Sequence, residues 1–429
     1  MKRLYVLFLL TLLLCNSSLR GQTIAFSELN FNSDSTTTSG DWVELYNYGS
    51  ASLDISNWFL KDDDDMHLFK IPDNTVLPAG GREVIINDSA KFTSAHPFVT
   101  NFLGTFTFKF GNDGDQVRLF DNNGTIKLFM QYADSTPWYK AADGTGRTLE
   151  NSNPSGDPND PANWFVGCMG GSPGAAFSPC NDPIVFSEIN YHSDSLLDAG
   201  DWCEIWNHSS GNINLNGWSF KDSKDSNIFF FPNNINLAPD ARLVLVHDTA
   251  LFFQRHPNVT NWVGPFNFNL SNGGELIRLF DYNGKIKFSI VYNDHNGWPS
   301  GADGDGYTLE LLDPSQNMND PADWFDGCLE GSPGVAYDPT CPTGTELIKN
   351  SSLKILNSLA DNSVIIEIPE NDFQSSCQLK IFDALGRLVK SSVLNSTTSI
   401  IDVSDFSAGI YIAEIKTQSL LLTGKFIVQ

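Results

Sequence analysis

Residues 24–174 align with residues 184–334 at a constant offset of 160 and without a gap. IAFSELN answers IVFSEIN, and GDWVELYN answers GDWCEIWN. Trp42, Trp58, Trp138 and Trp164 meet Trp202, Trp218, Trp298 and Trp324, while Trp206 and Trp262 stand opposite Tyr46 and Phe102. With so long a period, each copy is a whole domain rather than one element of a solenoid. Whatever fold one copy adopts must therefore occur twice. At roughly 150 residues per domain, the 429 residues leave room for a third unit.

Within each copy the patterns are those of short strands. Alternating runs such as DWVELYN and apolar runs such as REVIIN and RLVLVH are separated by turn residues. Asn123-Gly124 and Asn283-Gly284 divide two strand-like halves, the favoured two-residue hairpin signal. Asp88 and Asp248 stand where they would cap one short helix per copy, ended by His96-Pro97 and His256-Pro257. Many short strands with little helix predict a β-sandwich.

The series SELN, DWVELYN, LDISNWFLKD, FKIP, VLPAGGREVII, LFDNNGTI and GGSPG resembles the lamin-tail domain, an immunoglobulin-like sandwich. The second copy repeats it through SEIN, DWCEIWN, INLNGWSFKD, FFFP, LAPDARLVLV, LSNGGELIRLFDYNG and EGSPG. The closing stretch Gly170-Gly171-Ser172-Pro173-Gly174 also spells G-x-S-x-G, the letters of a hydrolase nucleophile elbow. That elbow needs an N–H from the residue after the serine, and Pro173 has none. Glu330 also replaces the first glycine in the second copy. The resemblance implies instead an ordered turn that ends the domain.

Residues 1–21 read as a secretory signal, with Lys2 and Arg3 ahead of an apolar run from Leu4 to Leu14. That run is too short to span a bilayer, and no other segment reads as a transmembrane helix. Cys15 keeps a lipoprotein reading open, although Leu14 stands where a small side chain is wanted. Removing the signal takes the formal charge from −25 to −28. Without a basic patch such a chain forgoes the main source of nucleic-acid affinity.

Cys168 with Cys180 mirrors Cys328 with Cys341, each pair enclosing a GSPG turn. In an exported chain this predicts two local disulfides, each contributing about 3 kcal/mol by loop closure. Cys203 replaces Val43 and is expected as a small buried hydrophobe. A bond between Cys203 and Cys377 stays open.

After a turn-rich linker, the runs SVIIEIPE, CQLKIFDALGRLVKSSVL, TSIIDVSDF, AGIYIAEIKT and TGKFIVQ make a compact β unit. IFDALGRLV, Ser404 to Tyr411 and the terminal GKFIVQ resemble the C-terminal sorting domain of type IX secretion in Bacteroidetes. The segment ILNSLADNS departs from that pattern in lacking an Asn-Pro step. The resemblance implies recognition by the type IX machinery and export across the outer membrane to the surface or beyond. A third adhesive sandwich is the alternative. The expected architecture is all-β: a signal peptide (1–21), two tandem immunoglobulin-like sandwiches (22–181 and 182–342), and a linker with a small C-terminal β-sandwich (343–429).

The residues give few leads to chemistry. His96 and His256 alone among the histidines occupy equivalent positions, and both read as structural. HExxH, Walker and dinucleotide motifs are absent. Glu28, Asp41, Glu44, Asp62 and Asp121 recur as Glu188, Asp201, Glu204, Asp222 and Asp281. Strand alternation places Glu44 opposite the face built by Val43 and Leu45, predicting a solvated or hydrogen-bonded acid. A sharper reading makes Glu44 and Glu204 ligand-binding residues, in a carbohydrate or calcium site beside aromatic rings. Calcium has further hints in DDDD at 62–65 and DGDG at 303–306, which turn chemistry explains as well. Asp88-Ser89-Ala90 and Asp248-Thr249-Ala250 resemble an O-glycosylation triplet, and helix capping accounts for them equally. The expected function is binding or structural presentation at the cell surface, with no catalytic residues, no cofactor, and a surface polysaccharide or protein as partner. The alternatives are an extracellular hydrolase with an acidic site and a calcium-dependent carbohydrate-binding adhesin.

Overall fold

The computed structural model describes residues 23–341, 351–357, 359–360, 362–368, 377–416 and 421–429. The expected signal peptide and most of the expected linker lie outside them. The chain divides into two compact units, residues 1–326 with 333–335 and residues 327–332 with 336–429.

Twelve strands build the first repeat. They are β1 (Ile24–Asn30), β2 (Trp42–Asn47), β3 (Leu53–Asp54), β4 (Phe59–Lys61), β5 (Phe69–Lys70), β6 (Val76–Leu77), β7 (Arg82–Ile86), β8 (Phe102–Gly104), β9 (Gly114–Phe120), β10 (Ile126–Ala133), β11 (Leu149–Asn151) and β12 (Trp164–Val166). One sheet runs β12-β11-β1-β2-β7-β8 and a second β10-β9-β4-β5, with β3 and β6 as a separate pair. Phe26, Leu29, Phe31, Val43, Leu45, Leu60, Leu119 and Met130 belong to one buried cluster of this repeat. The expected sandwich is present, and the second repeat builds the same pair of sheets.

The register of β1 shifts against β2 between Phe26 and Glu28. Ser27 is the extra residue of this bulge. It lets Phe26 and Leu29, three positions apart, both enter the core, and turns Glu28 to the opposite face. The second repeat has the same shift between Phe186 and Glu188.

The opposite face of the large sheet is covered as well. Helix α1 (Ser89–Ala95) lays Phe92 on Trp42, Val84 and Ile86. Its N-terminus is capped by Asp88, whose side chain accepts from the Lys91 N–H. Helix α2 (Thr249–Arg255) has the same cap from Asp248. Both helices stand where the sequence places them and end at His96 and His256.

The β9–β10 hairpin forms, but not through a two-residue turn. That turn needs positive φ at both central residues, and here Gly124 has it at +79° while Asn123 does not. Asp121 carries a longer loop by accepting the N–H groups of Asn123 and Thr125, each at 2.9 Å.

Cys168 is bonded to Cys180 and Cys328 to Cys341, with Cα atoms 5.4 and 5.8 Å apart. Cys203 and Cys377 are buried and lie outside both bridges. In the C-terminal unit, the strands Leu421–Val428, Gly409–Lys416, Cys377–Asp383 and Leu388–Leu394 lie side by side in a larger sheet. Lys354–Ile355, Ser363–Glu367 and Thr398–Asp402 form a smaller one. Val364, Ile366, Leu379, Ile381, Ala413 and Phe426 belong to its core.

Candidate functional site

Cross-strand pairing sets three carboxylates in a row. Glu28 is directly opposite Glu44 on one side and Glu150 on the other. Like charges so placed repel, and all three side chains are buried, Glu28 and Glu44 at 0 % exposure. Strand alternation alone leaves Glu44 solvated or hydrogen-bonded. It is not solvated, because the GSPG loop closes over it.

The loop supplies the donors that ionised or shared carboxylates need. Ser172 donates its backbone N–H to Glu28 at 2.9 Å and its hydroxyl to Glu150 at 2.6 Å. The Gly174 N–H donates to Glu44 at 2.6 Å. Ser27, the bulge residue, donates its hydroxyl to Glu44 at 2.6 Å, and Thr148 does the same for Glu28 at 2.7 Å. Gly171 has φ +74°, and a Cβ there would lie 2.1 Å from Glu28 Oε1. Gly174 has φ +82°, and a Cβ there would strike Asn101. Those two glycines and Ser172 are thus fixed by the carboxylates beneath them and by the turn. Ser172 serves as a double donor.

Arg82 compensates the row, with Nη1 2.5 Å from Glu44 Oε1. Its guanidinium lies over the Tyr46 ring at 4.2 Å. Burial still pushes the acids up. Glu28 stands well above the usual carboxylate range through desolvation and the neighbouring charge of Glu150. Burial raises Glu150 to about 7. It raises Glu44 as well, against the lowering bonds from Ser27, Arg82 and Gly174.

The second repeat reproduces the arrangement. Glu188 faces Glu204 and Glu310. Ser187 donates to Glu204 at 2.6 Å, Thr308 to Glu188 at 2.6 Å, and the Gly334 N–H to Glu204 at 2.7 Å. Arg242 Nε is 3.1 Å from Glu204 and its guanidinium lies over Trp206. Burial raises Glu204 to about 8. The aromatic rings beside Glu44 and Glu204 therefore stack on arginines.

The other candidates have local duties. His96 and His256 are largely buried against Trp42 and Trp202, and desolvation pushes each down to about 4. Asp41 and Asp201 accept the N–H groups of Phe110 and Leu270. In the DDDD run, carboxylate oxygens of Asp62 and Asp63 lie within 4.8 Å of one another and of Asp115. Asp62 accepts the Asp64 N–H and is 2.7 Å from His67 Nδ1, and Asp115 accepts from Gly111 and Gln116. The second copy has Ser223 in place of Asp63. In DGDG, Asp303 is 2.7 Å from His192 Nδ1.

Sequence reasoning missed the third acid of the row. Glu150 and its counterpart Glu310 fall inside matching TLE triplets, and that repetition was the available signal. It also missed the junction between the repeats. Arg147, fully buried, donates from Nε and Nη2 to the Ser289 carbonyl of the second repeat at 3.1 and 2.9 Å. Its Nη1 reaches the Gly167 carbonyl at 3.1 Å. Ser289 returns a hydroxyl to the Thr145 carbonyl at 2.8 Å.

Fold and site define paired immunoglobulin-like modules whose sealed acids are part of the scaffold. The chain belongs to the Lamin Tail Domain family, whose profile matches residues 18–134 and 178–294, together more than half of its length. Residues 360–429 match the Secretion system C-terminal sorting domain. That domain addresses the chain across the outer membrane to the cell surface or the extracellular space. Among solved structures, a biofilm-associated protein BSP domain is 13% identical, covering 95% of this chain and 81% of its own at TM-score 0.18. PorZ, described as a surface component of the type IX secretion system of Porphyromonas gingivalis, is 12% identical, with 95% and 51% covered and TM-score 0.15. A family protein from Bacteroides thetaiotaomicron is 10% identical, with 67% and 94% covered and TM-score 0.23. At TM-scores this low the likeness carries no functional argument. No curated protein matches the chain. Among the described residues no helix is long and apolar enough to cross a membrane.

Proposed function

We propose that this exported protein acts without catalysis, its two modules binding or presenting a surface polysaccharide or protein while the C-terminal domain engages the type IX machinery. The supporting observation is the closure of the carboxylate row. The glutamates of the row are buried in both copies, and serine, threonine, arginine and backbone N–H groups bond to them, so a substrate has no access to them. A hydrolase would need its acid and nucleophile at an open cleft.

The test is an activity screen of the exported protein against glycoside, ester and peptide substrates, beside Glu44→Gln and Glu204→Gln. The expected result is no turnover in any form. Turnover that disappears in either variant while its melting temperature stays near that of the parent would overturn the proposal.

A further inference from the structure

A cleft of about 750 Å³ lies where the two repeats meet. One wall comes from the loop after β1 and from α1 of the first repeat, the other from Lys285, Ile286 and Lys287 of the second. A single repeat could not form it. The Arg147 bonds to Ser289 hold the walls together, and the Ile286 N–H donates to Thr36 Oγ1 across the junction at 2.9 Å.

Several residues at this cleft differ between the two copies. Thr36, Thr37 and Lys91 stand where the second copy has Leu196, Leu197 and Leu251. The same backbone therefore carries hydroxyls and an ammonium at the cleft and leucines at the equivalent surface.

Charge follows the same asymmetry. Of the acids in the wall, Asp34 accepts from the Thr36 N–H and hydroxyl, and Asp182 places Oδ2 3.9 Å from Arg147, an oxygen with no hydrogen bond among the described residues. Lys127 of the first repeat is paired with Asp121 at 3.0 Å. Among the described residues its counterpart Lys287 makes no ion pair, and neither does Lys285, in a chain of net charge −25. Two unpaired ammonium groups thus border a pocket lined with hydroxyls.

We propose that this cleft binds an acidic oligosaccharide, with Lys285 and Lys287 supplying the cations for its carboxylates and Thr37 and Thr38 the hydrogen bonds for its hydroxyls, while Lys91 is held by Asp88 at 3.5 Å and the Thr36 hydroxyl by Asp34 and Ile286. The proposal deepens the binding reading above and rests on it. Exposed ion pairs are screened by salt, so affinity should fall as ionic strength rises.

The experiment titrates the exported protein with oligogalacturonate, a neutral oligosaccharide of equal length, polyglutamate and inorganic phosphate. Lys285→Ser/Lys287→Ser and the distant control Lys224→Ser are titrated in parallel, with circular dichroism to verify folding. Oligogalacturonate should bind the parent and the control alike. It should bind the folded double variant at least tenfold more weakly, and the parent more weakly in high salt. The neutral sugar and phosphate should not bind. Absence of oligogalacturonate binding, equal loss in the control, or polyglutamate binding as tightly would overturn the cleft assignment and leave the non-catalytic reading standing. Cleavage of the oligosaccharide would overturn that reading instead.

Discussion

The backbone N–H of Gly174 donates to the buried carboxylate of Glu44 at 2.6 Å, across 130 residues of chain. This bond ties the end of the domain to its second strand, and Gly334 repeats it to Glu204 at 2.7 Å. Removing the acceptor leaves Arg82, Ser27 and the Gly174 N–H without it. Breaking a buried pair from one side costs about 3–5 kcal/mol. Glu44→Ala should therefore lower stability by about that much, and Glu44→Gln by less because its amide carbonyl still accepts. Thermal melts of the two variants check the order, and an unchanged melt for Glu44→Ala would contradict it.

The same row sets a pH dependence. Glu150 titrates at about 7 and Glu204 at about 8 in the folded state, both raised by burial from 4.5. A carboxyl raised in the folded state holds its proton more tightly there than in the unfolded chain. Its contribution is complete below about pH 4.5 and is lost as pH rises through 7 to 8. Above pH 7, where His96 and His256 are neutral folded or unfolded, chemical denaturation should show lower stability at pH 9 than at pH 7, by on the order of 2 kcal/mol. Glu150→Gln should flatten part of the slope, which a general surface-charge effect would not.

One indole separates the two copies. Trp42 Nε1 donates to Ser39 Oγ at 3.0 Å, whereas Trp202 Nε1, equally buried, has no partner among the described residues because Ala199 replaces the serine. An unmade buried hydrogen bond costs about 1–3 kcal/mol. Ala199→Ser should stabilise the protein by about 1 kcal/mol, and Ser39→Ala should destabilise it by at least as much. Denaturant midpoints read both.

Arg147 links the repeats with two buried donors to the Ser289 carbonyl and bonds Gly167 of its own repeat with a third. Arg147→Ala should cost on the order of 3 kcal/mol from lost bonds and the space left behind. Spin labels at exposed Asp73 and Asn233 should give a narrow distance distribution in the parent and a broad one in the variant. Equal widths would show that other contacts fix the junction.

The fold was largely legible in the sequence. A gapless repeat, alternating runs, and the caps at Asp88 and Asp248 locate the sandwiches and both helices. The mirrored cysteine pairs locate the disulfides. The site was less so. Alternation correctly sends Glu44 away from Val43 and Leu45, but it assumes that the second face of a sheet meets water. Here Phe92 and the GSPG loop cover that face, and neither contact follows from spacing along one strand. The Asn123-Gly124 signal located a hairpin and misjudged its turn, because Asp121 stabilises a longer loop. Arg147 gave the least warning: it stands opposite Tyr307, and only assembly of the two repeats gives it a role.

The extra residue at Ser27 makes strand length, rather than strand composition, the quantity that cannot drift. Deleting that single position would swap inside for outside over half of β1, delivering an acid to the hydrophobic interior or Ile24 and Phe26 to the loop. Substitutions along this strand are local events; a frame change of one is a change of fold.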